Sequence, residues 1–424
     1  MTKRPPFGNT DRLSRRTIIG GSAGLLLPGR IAAQDVLAQS ATPVPTSPAA
    51  NAPVQVAIID KRLTFDDLRA AIAAEGELVL ASEYPEGQAA ILQQFADYVA
   101  AVYSQEIAVT TLQETQDGDP MATVYADAGA RSPSRIDVMA TRKNHWFAAR
   151  VHTFETGIEV MEEFLPSGLV PSERHLLGLI KAEPSAVGFQ ASAVPTVIYN
   201  SDTADYLTEW TDLADERLKG RLLLWTPGDE ISDGMPLSMT RALKMDYRNP
   251  DHIAAGLDFI DQQISPNVLR YTNDLTEATS LFTSGAIDAF VYWNGVAREL
   301  WAEGMTSARP LMPTLGQYPF NGVLWIPVQP QHPILAQIFI DWCLSVDAQL
   351  PDLNSWHIDH KTWLQLHEGL ISKGYAEAIP DWIAQDYGNL YPSLDQIRKT
   401  YWDLDWEYYL AARDDWRTDW QARL

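Results

Sequence analysis

Carboxylates are the first groups whose type and spacing bear on chemistry. Asp229, Glu230 and Asp233 follow the apolar run Leu222-Leu223-Leu224-Trp225. Such a cluster can move protons as an acid–base pair. It can equally close a turn and cap a helix that begins before Pro236. The second role fits better, because short polar side chains at a helix start satisfy backbone N–H groups. His357, His360 and His367 form the other candidate set. The His-x-x-His spacing would put two rings on one helix face, as a metal requires. The surrounding stretch is polar and tryptophan-rich, with no matching carboxylate motif, and predicts a surface cluster. No phosphate-cradling GxxxxGK[ST] or GxGxxG occurs. No ligand set for a redox cofactor is found, so no cofactor is expected. The one cysteine, Cys343, lies in the apolar run 338–344 and reads as a small buried hydrophobe.

The elements that would hold these groups alternate between the periods of strand and helix. Leu78-Val79-Leu80 is a continuous apolar run, as in a buried parallel strand. Leu92, Phe95, Val99 and Val102 recur on one helical face within 86–104. Further strands are predicted at 107–109, 136–139, 222–225, 287–293 and 324–326, and further helices over 64–74, 253–264, 276–284 and 335–344. Strand, helix, strand with short connections implies βαβ units and parallel sheets. Beyond residue 346 the pattern is helical. Eight of the 14 tryptophans lie between Trp342 and Trp420. Trp402, Trp406, Tyr409, Trp416 and Trp420 predict a terminal helix packed on the body, with a partner-binding face as the alternative.

Composition limits the function classes. The 424 residues carry a formal net charge of −23, from 55 acidic and 32 basic residues. So acidic a chain repels nucleic acid, and no nucleic-acid partner is expected. Residues 1–38 read as an export signal: a basic start, then the short apolar stretch Ile18 to Leu27, then small-residue sites. Ser14-Arg15-Arg16-Thr17 before Ile18-Ile19 resembles the twin-arginine signal, which implies the twin-arginine export machinery as a partner. No cysteine ends the apolar stretch, so a periplasmic location without a lipid anchor is expected. Residues 39–54 hold four prolines and no charge, as in a linker.

Several segments in order resemble one family. They are Gly76-Glu77-Leu78-Val79-Leu80, Ile136-Asp137-Val138-Met139, Ala193-Val194-Pro195-Thr196-Val197-Ile198-Tyr199, Trp210-Thr211-Asp212-Leu213 with Lys219-Gly220, Leu281-Phe282-Thr283-Ser284-Gly285 and Phe339-Ile340-Asp341-Trp342. Over roughly residues 76–350 the chain is similar to extracellular solute-binding proteins of ABC transporters, of the type II periplasmic-binding-protein fold, in the branch with polyamine and iron binders. The resemblance implies a two-lobed α/β fold with two crossing strands as hinge, near 192–200 and 316–327, and a helical C-terminal extension. The domains expected are a signal at 1–38, a Pro/Ala-rich linker at 39–60, lobe 1 at 61–197 and 328–345, lobe 2 at 198–327, and the Trp-rich extension at 346–424. A small-molecule ligand, a cation among the candidates, would bind between the lobes, and an ABC permease in the inner membrane would receive it.

The residues expected at the cleft sit just after strand ends or near the crossings. They are Glu83, Tyr84, Thr141, Trp225, Asp229, Asp233, Trp293, Asn294, Asn321 and Trp325. Tyr292-Trp293-Asn294-Gly295 resembles an aromatic element of polyamine binders, with Val296 where an aspartate usually follows. Pro319-Phe320-Asn321-Gly322 resembles a second element, with Asn321 in place of glutamate. Tyr408-Tyr409 is placed in the tail, away from a cleft that could use a tyrosine pair for iron. No catalytic residue is expected. The alternatives are an exported hydrolase or isomerase working through Asp229 and Asp233, and a sensor that captures a partner on the tryptophan-rich tail.

Overall fold

Local signals start the first elements of the computed structural model, which describes residues 53–82, 85–113, 119–163, 182–183, 186–187, 192–318, 320–343, 345, 348 and 400–424. Residues 1–52, with the expected export signal, and residues 346–399 of the expected extension lie outside the described residues apart from Ala348. β1 (Val54–Val56) and β2 (Lys61–Leu63) pair as an antiparallel hairpin. Thr64 accepts the N–H of Asp67, and Asp67 accepts that of Thr64, so a reciprocal cap begins α1 (Phe65–Glu75). The hairpin packs on the first core through Val56 and Leu63. Residues 54–60 are therefore part of the first lobe and not linker.

The first sheet is built from β3 (Glu77–Ser82), β4 (Ala108–Gln113), β5 (Val138–Arg142), β6 (Ala182–Glu183), β7 (Ala186–Val187), β8 (Ser192–Ala193) and β14 (Phe320–Trp325). Its order is β4-β3-β5-β14-β7-β6, with β8 also on β14. β3 is parallel to β4 and β5, while β14 runs antiparallel to β5. The helices α2 (Pro85–Tyr103), α3 (Pro120–Ala130) and α4 (Lys143–Thr156) connect or follow its strands. Leu92, Phe95, Val99 and Val102 of α2 are buried, as their spacing predicts.

The second sheet has the order β11-β10-β12-β9-β13. Its strands are β9 (Pro195–Asn200), β10 (Leu222–Trp225), β11 (Val268–Thr272), β12 (Ala289–Trp293) and β13 (Ala308–Pro310). Around it lie α5 (Glu230–Ala242), α6 (Pro250–Phe259), α7 (Leu275–Thr283) and α8 (Gly295–Ala302). Gly234 lets α5 lie against β9, since a Cβ there would stand 2.2 Å from the Pro195 Cβ. α9 (Pro333–Cys343) returns to the first core, its initial N–H groups at Ile334 and Leu335 donated to Glu75 at 3.0 and 2.8 Å. α10 (Trp406–Arg423) closes the chain, capped by Asp405. Among the described residues no helix is long and apolar enough to cross a membrane.

The fold is α/β and two-lobed, with each sheet carrying its own core. The chain leaves the first sheet at β8, passes Val194 and enters the second at β9. It returns between Pro310 and Phe320. β14 therefore belongs to the first sheet, which corrects the expected extent of the second lobe to residue 327. The run Val323-Leu324-Trp325 is apolar enough for either core, and only its pairing with Met139 to Arg142 decides.

Candidate ligand cleft

Strand ends and helix starts from both lobes converge. From the first lobe come Ser82 at the end of β3, Thr141 and Arg142 at the end of β5, Asp119 capping α3, and His145 on the first turn of α4. A small open cavity is lined by Ser82, Asp119, Met121, Met139, Thr141 and His145, with Ala81 and Pro120. From the second lobe comes the start of α5, whose Glu230 reaches Arg142 and Asn144.

One ion pair joins the two faces. Arg142 Nη1 lies 2.5 Å from Glu230 Oε2, and Asn144 Nδ2 donates to Glu230 Oε1 at 3.3 Å. Burial pushes the Glu230 carboxyl up, but Arg142, its own backbone N–H, Arg417 and His145 outweigh that and hold it below the usual glutamate range. Asn144 is fully buried, and its carboxamide oxygen takes no hydrogen bond among the described residues. An acceptor left so is costly unless something donates to it.

The expected cleft residues divide sharply. Thr141 lines the cavity, its hydroxyl accepting from Trp325 Nε1 at 3.0 Å. Trp325 itself is fully buried in the first lobe. It positions Thr141 and offers no face to a ligand, which corrects its expected role. Trp225 is also covered, at 4% exposure, tilted against Tyr292 at 4.8 Å and donating to Asp229 Oδ2 at 2.6 Å. Asp229 uses its other oxygen to accept the Ser232 N–H at 2.9 Å, as the cap of α5. Asn294 is a clasp on the first crossing: its side-chain oxygen accepts the Val194 N–H at 3.1 Å and its own N–H donates to the Val194 carbonyl at 3.0 Å. Trp293 is half-buried beside the second core. Asn321 pairs with Ser192 in the first sheet. Glu83 and Tyr84 lie outside the described residues.

Asp233 departs furthest from expectation. It is 2% exposed and lies under α10, where Arg417 donates to it twice, at 2.7 and 2.9 Å, and the Tyr409 hydroxyl once, at 2.6 Å. Burial and the adjacent Asp233 push the Tyr409 phenol well above 10, so it stays a donor. Tyr409 is thus no bystander in a tail, and Asp233 serves the extension instead of a solute. Sequence reasoning missed Arg417, whose partner lies 184 residues away. Arg142 and Glu230 carried a faint signal in their places beside Thr141 and Asp229.

Residues 172–356, spanning the second sheet, both crossings, β14 and α9, match the sequence profile described as bacterial extracellular solute-binding protein. This stretch is similar to bacterial extracellular solute-binding domains. No curated protein matches the chain by sequence. Among solved structures, the chain is similar to an ABC transporter protein from Clostridium perfringens, at 15% identity and a TM-score of 0.55 over 81% of this chain and 99% of that one. It is also similar to the spermidine/putrescine ABC transporter substrate-binding protein PotD of Streptococcus pneumoniae, at 14% identity and 0.56, over 82% and 99%. A third is the PBP MotA of A. tumefaciens B6 in complex with glucopine, at 15% identity and 0.53, over 82% and 99%. At these identities the likeness establishes the shared fold. The family and these neighbours are binding proteins.

Proposed function

We propose that the chain is the solute-binding component of an ABC uptake system, and not an enzyme. The observation that carries this reading is the cavity at the strand ends of the first lobe, next to Arg142, which reaches Glu230 at the start of α5 in the second lobe. Two lobes with such a cleft capture a solute by closing on it. The signal-like residues 1–38 support export by the twin-arginine route to the periplasm, and the family supports an inner-membrane permease as the receiving partner.

The engagement of the carboxylates among the described residues supports one solute class. Asp119 and Asp229 cap helices, Glu230 faces Arg142, and Asp233 faces Arg417. A polyamine needs unengaged carboxylates, so a small polar solute with a hydrogen-bond donor for Asn144 fits better than a polycation. The same engagement supports a binding protein over a hydrolase that works through Asp229 and Asp233. A thermal-shift screen of the exported chain against polyamines, amino acids, opines, sugars and metal ions tests both points. A solute at a hundredfold excess over Kd stabilises the fold by about 2.7 kcal/mol. A shift with one polar class supports the reading. Absence of any shift, or a shift with spermidine alone, contradicts it in whole or in its solute class.

A further inference from the structure

The C-terminal residues 400–424 touch the second crossing and both lobes. At the second crossing, Gly316 has φ of +81°, and a Cβ there would stand 1.4 Å from the Thr400 carbonyl oxygen. The Trp402 N–H donates to the Gln317 carbonyl at 3.1 Å, and its ring packs on Tyr318 and Tyr247 with centroids 5.0 and 5.1 Å apart. Gln317 in turn donates to Thr196 Oγ1 on the first strand of the second lobe. The segment thus rests on the crossing itself.

Its helix then grips both lobes. On the second lobe, Arg417 and Tyr409 hold Asp233, Gln421 Nε2 donates to the Pro227 carbonyl at 2.9 Å, and Arg423 pairs with Asp258. On the first lobe, α10 packs against α4, and Phe147 of α4 joins the cluster that holds Trp406, Tyr409 and Trp416. A two-lobed binder closed only by its solute needs none of these contacts.

We propose that residues 400–424 are a built-in strap, which clamps the crossing and holds the first lobe to the second whether or not a solute is bound. Solute exchange then requires α10 to lift from α4 while Arg417 keeps it anchored on Asp233. The strap stands on the two-lobed fold and not on the identity of the solute.

The test needs no solute. Cysteines at the exposed positions Ala74 on α1 and Ser280 on α7 place one nitroxide label on each lobe. The native Cys343 is buried and escapes labelling. Electron–electron resonance distances are compared in the full chain, in a chain ending at residue 399, and in Phe147→Ala, which weakens the first-lobe contact of α10 together with the packing of Phe147 on Trp146. The full chain should give one narrow distance. The shortened chain should give a broader distribution, longer by more than about 2 Å, the scale of a true domain rearrangement. Phe147→Ala should shift it the same way. Unchanged distributions in both variants would overturn the strap. If the shortened chain does not fold, Phe147→Ala and Gly316→Ala decide between the same two outcomes. A failed solute screen would leave this readout standing, so the two readings fail separately.

Discussion

Glu230 and Asp233 lie one helical turn apart, yet their surroundings give them different work. Glu230 reaches across to Arg142, and Asp233 turns under α10 to Arg417. Removing one partner of a buried pair leaves an uncompensated charge and costs about 3–5 kcal/mol. Arg417→Met should therefore lose stability on that scale in urea unfolding, and a loss under about 1 kcal/mol would mean that Asp233 finds other compensation. Glu230 makes a prediction about pH. Its carboxyl is held below the ordinary 4.5, so its contribution to stability is complete above that value and fades as pH falls through the lowered folded value. The stability gap between the native chain and Glu230→Gln should stay constant from neutral pH to about 4.5 and close below it. A gap that persists to strong acid would contradict the assignment.

At the scale of elements, periodicity was a good guide and placement was not. The helical face of α2, the cap at Thr64, and the strand ends at Thr141 and Trp225 were all legible, because each rests on neighbours within a few residues. β5 starts two residues later than its apolar run suggests, and Asp137 before it serves the fold, accepting the Val79 N–H at 2.8 Å. The side of the molecule to which β14 belongs was not legible, since both cores accept the same residues. Close approach of elements was equally hidden. Gly234 looks like a poor helix residue until Pro195 is seen against it. Gly234→Ala should cost about 1–3 kcal/mol as an overpacked contact, despite alanine's better helix propensity. A higher melting temperature for the variant would show that α5 and β9 can part without loss.

For the molecule as a whole, the lobes are joined by two crossings, by the Arg142–Glu230 pair, and by the C-terminal helix. These links differ in strength. A single partly exposed ion pair holds less than an aromatic cluster does. Arg142→Gln should therefore leave the radius of gyration in solution scattering within error of the native chain. Expansion comparable to that of the chain shortened to residue 399 would show that the ion pair carries the closure.

The sequence by itself determined the α/β class, the order of most elements and the caps. Those features depend on spacing and on short-range hydrogen bonding, which a linear chain displays. It also announced a tryptophan-rich terminal helix that needed something to pack on. Only the tertiary structure decided what that helix covers, which partners Glu230 and Asp233 take, and what Trp325 and Asn294 hold in place. Those outcomes turn on contacts between residues far apart in the chain, such as Thr141 with Trp325, Asn294 with Val194, and Arg417 with Asp233. Each replaces water at a buried polar group with one particular partner, and nothing in the local spacing says which partner that will be.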